Sequence, residues 1–266
     1  MKKLMLALGL FFTINAGTAQ IREMVAVRGG YYTPLYGIAG EEKVRVNDFY
    51  MDVRPVTHQE FLEFVKEHPQ WRRGQVKKLF ADARYLNNWL SEFSIPDQLK
   101  DKPVNNVSWF AAKAYCECQG KRLPTVDEWE FVAMASQTKP DARRDSLYSM
   151  EILRSYERPK THLLSVGHSP KNYWGVQDLH GMVWEWTQDF NSIILTGESR
   201  NNGNTDRGLF CATGAVGAND LMNYAAFMRF AMRSSLKASF TLTTLGFRCV
   251  SDLDSKGALV SAKKTH

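Results

Sequence analysis

Apolar residues recur at helical spacing in three short windows of the chain and alternate, briefly, in two others. Thr57-His58-Gln59-Glu60 has the form of a capping box, and Phe61, Leu62, Phe64 and Val65 follow on one helical face. A helix from about residue 58 to 67 is expected. Ser108 can cap a second helix carrying Trp109, Ala112, Tyr115 and Cys116, stopped at Gly120. Thr125 and Glu128 form another capping box, opening a third helix with Trp129, Val132 and Ala133 inward. Hairpin strands are expected between Met24 and Met51, where Val25-Ala26-Val27, Tyr31-Tyr32 and the run from Lys43 are separated by glycine-containing turns. Residues 137 to 165 show no clear period and read as a long loop or insertion. From Gly167 onward, short runs punctuated by Gly and Asn carry many aromatics, which favours irregular chain pinned by buried rings. There is no internal repeat and no alternating βαβ pattern, so the expected class is α+β with few helices and small antiparallel sheets.

Two features of the N-terminus change where this fold is expected to work. Lys2 and Lys3 precede an apolar stretch from Leu4 to Ile14, and Ala16-Gly17-Thr18-Ala19 offers a small-residue cleavage site before Gln20. Residues 1–19 therefore read as a secretory signal peptide, too short to span a bilayer. No cysteine lies near the cut, so no lipid anchor is expected, and no later segment has the length and apolarity of a transmembrane helix. The mature chain is expected in the periplasm or outside the cell. Its 44% hydrophobic and 23% charged residues suit a packed core. The net charge of +6 comes in part from the two ends, leaving too small an excess on the body to suggest nucleic-acid binding. The basic cluster Arg72, Arg73, Lys77 and Lys78 reads as a solvated face. Export makes Cys116, Cys118, Cys211 and Cys249 candidates for disulfides. Cys116-Glu117-Cys118 is too tight for an ordinary bridge, so a partner for Cys116 or Cys118 must come from far along the chain.

Three segments carry a family resemblance. Pro103-Val104-Asn105-Asn106-Val107-Ser108-Trp109, with Ala114-Tyr115-Cys116 and Gly120-Lys121-Arg122-Leu123-Pro124-Thr125 through Glu128-Trp129-Glu130, is the first. Asn172-Tyr173-Trp174-Gly175 through Asp178-Leu179-His180-Gly181-Met182-Val183-Trp184-Glu185-Trp186 is the second. Arg229 and Arg233 leading to Leu245-Gly246-Phe247-Arg248-Cys249 is the third. In this order, with Pro55-Val56-Thr57, the chain resembles the formylglycine-generating enzyme, or sulfatase-modifying factor, family over residues 24–250, leaving 251–266 as a flexible tail. The resemblance implies one domain with a variant of the C-type-lectin-like fold. It also implies a disulfide between Cys116 and Cys249, and a calcium ion held by the side chains of Asp178 and Glu185 and the carbonyls of Gly181 and Val183. A second family bridge would need cysteines near Ala133 and Phe230, where both are missing.

Formylglycine-generating relatives hold copper(I) with two thiols close in sequence, ligands that suit a soft ion. Counted back from Arg233 without gaps, those positions fall on Asp220 and Ala225; with a gap they fall near Ala212 or Cys211 and near Val216 or Gly217. No alignment restores the pair, so copper is not expected and no catalytic residue is assigned. The histidines show no metal-binding spacing, and no phosphate loop, dinucleotide fingerprint or Gly-x-Ser-x-Gly occurs. Members lacking the thiol pair include accessory and envelope proteins. The expectation is therefore an exported protein that binds or helps mature another envelope protein or peptide segment, through a groove formed by Cys211, Asp220, Arg229 and Arg233. The competing expectation is a metal-dependent oxidoreductase with different ligation, drawing on Cys211, Cys118 or histidine.

Overall fold

Local chemistry sets the first three helices. In a computed structural model describing residues 22–35, 43–157, 163–191 and 221–252, α1 spans His58–Glu67, α2 Trp109–Cys118 and α3 Val126–Ala133. Thr57 and Thr125 close reciprocal capping boxes with Glu60 and Glu128, and Ser108 accepts from the Ala111 N–H. Each capping glutamate also binds arginine: Glu60 pairs with Arg22 and Arg54, Glu128 with Arg122. Arg22 thereby ties the start of α1 to chain 38 residues away, and Arg122, which also pairs with Asp252, ties the start of α3 to the C-terminal end of the described chain.

The strands are short. β1 (Met24–Val27), β4 (Phe49–Asp52) and β7 (Val250–Asp252) form an antiparallel sheet in the order β1-β4-β7. β2 (Gly30–Tyr32) pairs antiparallel with β3 (Val44–Val46). β5 (Trp184–Glu185) pairs parallel with β6 (Leu245–Gly246), bringing the second and third family segments together. The last strand is also fixed by the Cys116–Cys249 disulfide, which joins it to α2 across a sequence separation of 133.

Two elements differ from expectation. Residues 146–157, inside the expected loop, form α4 (Ser146–Glu157), started by Asp145, whose carboxylate accepts from the Leu147 N–H at 3.0 Å. Only Ser149 and Ile152 of α4 are buried, so its apolar pattern is weak and its docking on another helix sustains it. That helix, α5 (Leu221–Ser234), lies where irregular chain was expected. Its Ala225, Ala226, Phe227, Met228, Phe230, Ala231 and Met232 leave no clean polar face, which hides the helical period.

The core has two main parts. Phe61, Phe64, Trp89, Tyr115, Trp186, Phe247 and the Cys116–Cys249 bridge fill the side of α1 and α2. Val27, Phe49, Met51, Trp129, Phe131, Val132 and Val250 fill the space between α3 and the β1-β4-β7 sheet. Aromatic rings do much of the filling, and Trp186 and Trp109 donate their indole N–H groups to the carbonyls of Val107 and Thr187.

Candidate functional site

A cleft opens where α3, α4, α5 and the β5-β6 pair meet. Trp129, Tyr156, Trp184, Glu185, Arg229 and Arg233 are among its lining residues, and its volume is about 20 Å³, enough for one water. The turn before β5 lies close under α4. Gly181 has φ 84°, and a Cβ there would sit 2.8 Å from the Cβ of Ser155.

The floor of the cleft is a buried ion pair. Arg248 donates from Nε and Nη2 to both oxygens of Glu185 at 2.8 Å, and its remaining donors reach the carbonyls of Asp52, Val53 and Gln177. Glu185 also accepts from Trp129 Nε1 at 2.8 Å. Both side chains are fully buried, so complete hydrogen bonding is what makes the pair tolerable.

The wall is built by helical spacing. Arg229 and Arg233, four residues apart on α5, both point at Glu130 of α3 and lie over the Trp129 ring at 5.4 and 4.9 Å. Arg229 donates from Nε and Nη2 to Glu130 and from Nη1 to Tyr156 Oη at 2.9 Å. Burial alone would raise the Glu130 carboxyl, but the two guanidiniums outweigh it and hold it down at about 2. The chain of polar groups continues: Tyr156 Oη lies 3.2 Å from His180 Nδ1, and His180 Nε2 lies 3.2 Å from the Ala133 carbonyl. A carbonyl only accepts, so Nε2 carries the proton and Nδ1 accepts from Tyr156. Burial, together with the Arg229 charge, pushes the imidazole down to about 3, and it is neutral at pH 7.

Several expected site residues take other roles here. Arg229 and Arg233, expected in an open groove, are drawn inward by Glu130 and are only 2% and 5% exposed. Cys211 and Asp220 lie outside the described residues. The two carboxylates expected for calcium are engaged by other groups. Both oxygens of Glu185 are taken by Arg248, and the Asp178 carboxylate accepts the backbone N–H groups of Gly167 and Ser169. A cation would have to displace an arginine from a dry pocket, so this arrangement does not fit calcium. Among the described residues no group of three or more His, Cys, Asp or Glu side chains is placed to hold a metal, and no helix is long and apolar enough to cross a membrane. Cys118 sits near the end of α2 with its thiol donating to the Tyr115 carbonyl, and burial pushes that thiol up to about 11. It is a poor thiolate there.

Glu130, Tyr156 and His180 were not singled out as site residues by sequence reasoning. Tyr148, Ile152 and Tyr156 recur every four residues, and that spacing was the available signal.

Comparison with known proteins agrees with this architecture. The family model described as "Sulfatase-modifying factor enzyme 1-like domain" matches residues 12–253. The chain is 30% identical over 220 residues to the inactive C-alpha-formylglycine-generating enzyme 2 of Bos taurus, covering 65% of this chain and 73% of that protein. It is also 30% identical over 263 residues to the formylglycine-generating enzyme of Streptomyces coelicolor, covering 83% of each. The solved structure of PvdO from Pseudomonas aeruginosa superimposes with a TM-score of 0.51 over 87% of this chain and 95% of that one, at 20% identity. Fold, motif order and family match agree: this chain belongs to the formylglycine-generating enzyme, or sulfatase-modifying factor, family.

Proposed function

We propose that this chain is an exported, non-catalytic member of the family that binds or helps mature another envelope protein. One observation carries the proposal: the chain has no two free thiols close in sequence. Cys116 and Cys249 are bridged, leaving only Cys118 and Cys211, which are far apart in the chain. Copper(I) held by a single thiolate lacks half of its ligand set. Identity alone does not decide the matter, because the relative named inactive and the one named formylglycine-generating enzyme are equally similar at 30%. A long-range disulfide is the kind of bond an oxidising compartment preserves, which supports export through the Lys2 to Ala19 segment.

The test is incubation of the purified mature chain with copper(I), oxygen and a cysteine-containing peptide, with mass spectrometry for the aldehyde. No aldehyde is expected. Its formation would overturn the proposal, and stoichiometric copper or iron in the purified protein would favour an oxidoreductase instead. For the export half, N-terminal sequencing of the protein recovered from the periplasm or medium should begin at Gln20; recovery of the uncut chain from the cytoplasm alone would count against it.

A further inference from the structure

Not all the aromatic residues beside α2 turn inward. Trp71, Phe80, Phe110 and Trp109 are half-buried and form a continuous string, with successive ring centroids 6.0, 5.2 and 5.4 Å apart. A third stretch of chain joins the same surface: the Trp109 N–H donates to the Ala238 carbonyl, and the Asp82 N–H to that of Ser239. Beyond Trp71, Arg72 extends the surface to Phe93, lying 4.7 Å from the ring centre. Leu79, next to Phe80, is 74% exposed, and Leu90, on the turn that carries Phe93, is 70% exposed. A single exposed leucine needs no explanation, but two on the loop that also carries open rings make an apolar patch.

The basic residues here divide into two kinds. Arg72 and Arg73, expected on a solvated face, turn back on the chain: Arg72 donates to the Val65 and Lys66 carbonyls at 3.2 and 3.0 Å, and Arg73 to that of Trp89. Lys77, Lys78 and Lys237 are exposed and make no ion pair among the described residues, whose paired lysines are others. Lys237 holds its ammonium 5.8 Å from the Phe240 ring centre, and Lys113, though paired with Glu117, holds its own 6.0 Å from that of Trp109. The acids nearby are engaged: Asp82 accepts from the Thr241 and Arg84 N–H groups, Asp189 from the Val126 N–H and Glu92 from Gln75. Arg72, Arg73, Lys77, Lys78, Arg84, Lys113 and Lys237 stand against Asp82 and Glu117, with Glu67, Glu92 and Asp189 at the edges, while Lys66 and Glu63 cancel in their own pair. An excess of two positive charges remains, and it is displayed by lysines.

Half-buried tryptophan and phenylalanine rings flanked by lysines suit the boundary between headgroups and acyl chains, where rings and leucines enter the apolar edge and ammoniums meet phosphates. A protein partner suits this face less well, because lysine is depleted at protein–protein interfaces and arginine favoured, and Arg72 and Arg73 are both turned inward. We infer that this face docks on an anionic phospholipid surface, with Lys77, Lys78 and Lys237 at the headgroups and Leu79 beside the ring string inserted at their base. The inference rests on the proposed export only for which membrane the chain meets, and it holds whether or not the chain oxidises thiols.

The experiment is sedimentation of the full mature chain with vesicles of phosphatidylcholine and phosphatidylglycerol in equal parts, and with vesicles of phosphatidylcholine alone. The mixed vesicles should bind about 100-fold more tightly, and the difference should shrink as salt is raised. Lys77→Gln with Lys78→Gln should weaken binding to the mixed vesicles about 30-fold. Leu79→Ser should weaken it severalfold at unchanged charge. All three side chains are exposed, and thermal unfolding recorded for each variant shows that it folds. Leu147→Ser, at an equally exposed leucine on α4, should change nothing. Equal binding to the two compositions, binding to neither, or undiminished binding by the folded lysine variant overturns the inference. Retention on polyglutamate in preference to the mixed vesicles also overturns it, by making the partner an acidic protein. Aldehyde formation in the copper assay would sink the non-catalytic reading and leave the vesicle result to be judged by itself.

Discussion

His58 and His180 are the residues whose burial reaches furthest into solution behaviour. His58 Nδ1 accepts from Trp89 Nε1 at 2.9 Å, its Nε2 has no partner among the described residues, and burial, with Lys102 adding to it, pushes the ring down to about 3. His180 is held at about 3 by burial and Arg229. Below pH 6.5 the unfolded chain takes up protons that the native state refuses until about pH 3, so the stability contributed by both rings is complete above pH 6.5 and falls through that window. The expected loss is ~1.4 kcal/mol per pH unit for each ring once the pH is well below 6.5. Glu130, held at about 2, adds its own loss only below its unfolded value of 4.5. Urea midpoints measured from pH 7 to 5 should therefore fall, and His180→Gln should flatten the decline. A decline unaffected by that change would assign the acid sensitivity to other groups. At the same scale, Arg248→Met would leave Glu185 charged in a dry pocket and should cost about 3–5 kcal/mol, read from chemical unfolding at pH 7. A loss under about 1 kcal/mol would mean that water reaches the pair.

At the scale of elements, α4 and α5 pack on one another, and the Tyr156 hydroxyl joins both to the turn at His180. Tyr156→Phe keeps the ring on Trp184, 5.0 Å away, but strands Arg229 Nη1 and His180 Nδ1. About 1–3 kcal/mol should be lost, and hydrogen exchange should quicken in α4 and α5 before it does in α1 and α2. Uniform quickening across all four helices would show that α4 and α5 are not a separate cooperative unit. These two helices were also the elements the sequence concealed. The caps of α1, α2 and α3 are written within three or four residues, so Thr57, Ser108 and Thr125 could be read directly. The stability of α4 comes from Ile152 against Ala225, far apart in the chain, and no local pattern encodes such a contact. The site was legible in the same uneven way. Motif order pointed to Glu185, Arg229 and Arg233, but Glu130 lies 99 residues from Arg229, and only the folded chain shows that it turns both arginines inward.

For the molecule as a whole, the Cys116–Cys249 bridge and the ladder beside it make separable contributions. The last strand is held without the disulfide: β7 pairs with β4, Val250 exchanges backbone hydrogen bonds with Arg122, and the Cys249 N–H donates to Asp52 at 3.1 Å. The double variant Cys116→Ala, Cys249→Ala should therefore keep the native strand order. What it loses is the restriction on the unfolded chain. Closing a loop across a separation of 133 residues corresponds to about 5 kcal/mol in the chain-entropy model, an upper value because real unfolded chains retain some compactness. Two measurements separate this from native-state damage. Urea unfolding should show a lower midpoint together with a slightly steeper dependence on urea, since the unlinked chain exposes more surface when it unfolds. Protection from hydrogen exchange at β7 in the folded variant should decline no more than the global stability does. Exchange at β7 rising alone would instead show that the bridge secures the last strand locally, and that the ladder with Arg122 and Asp52 cannot hold it unaided.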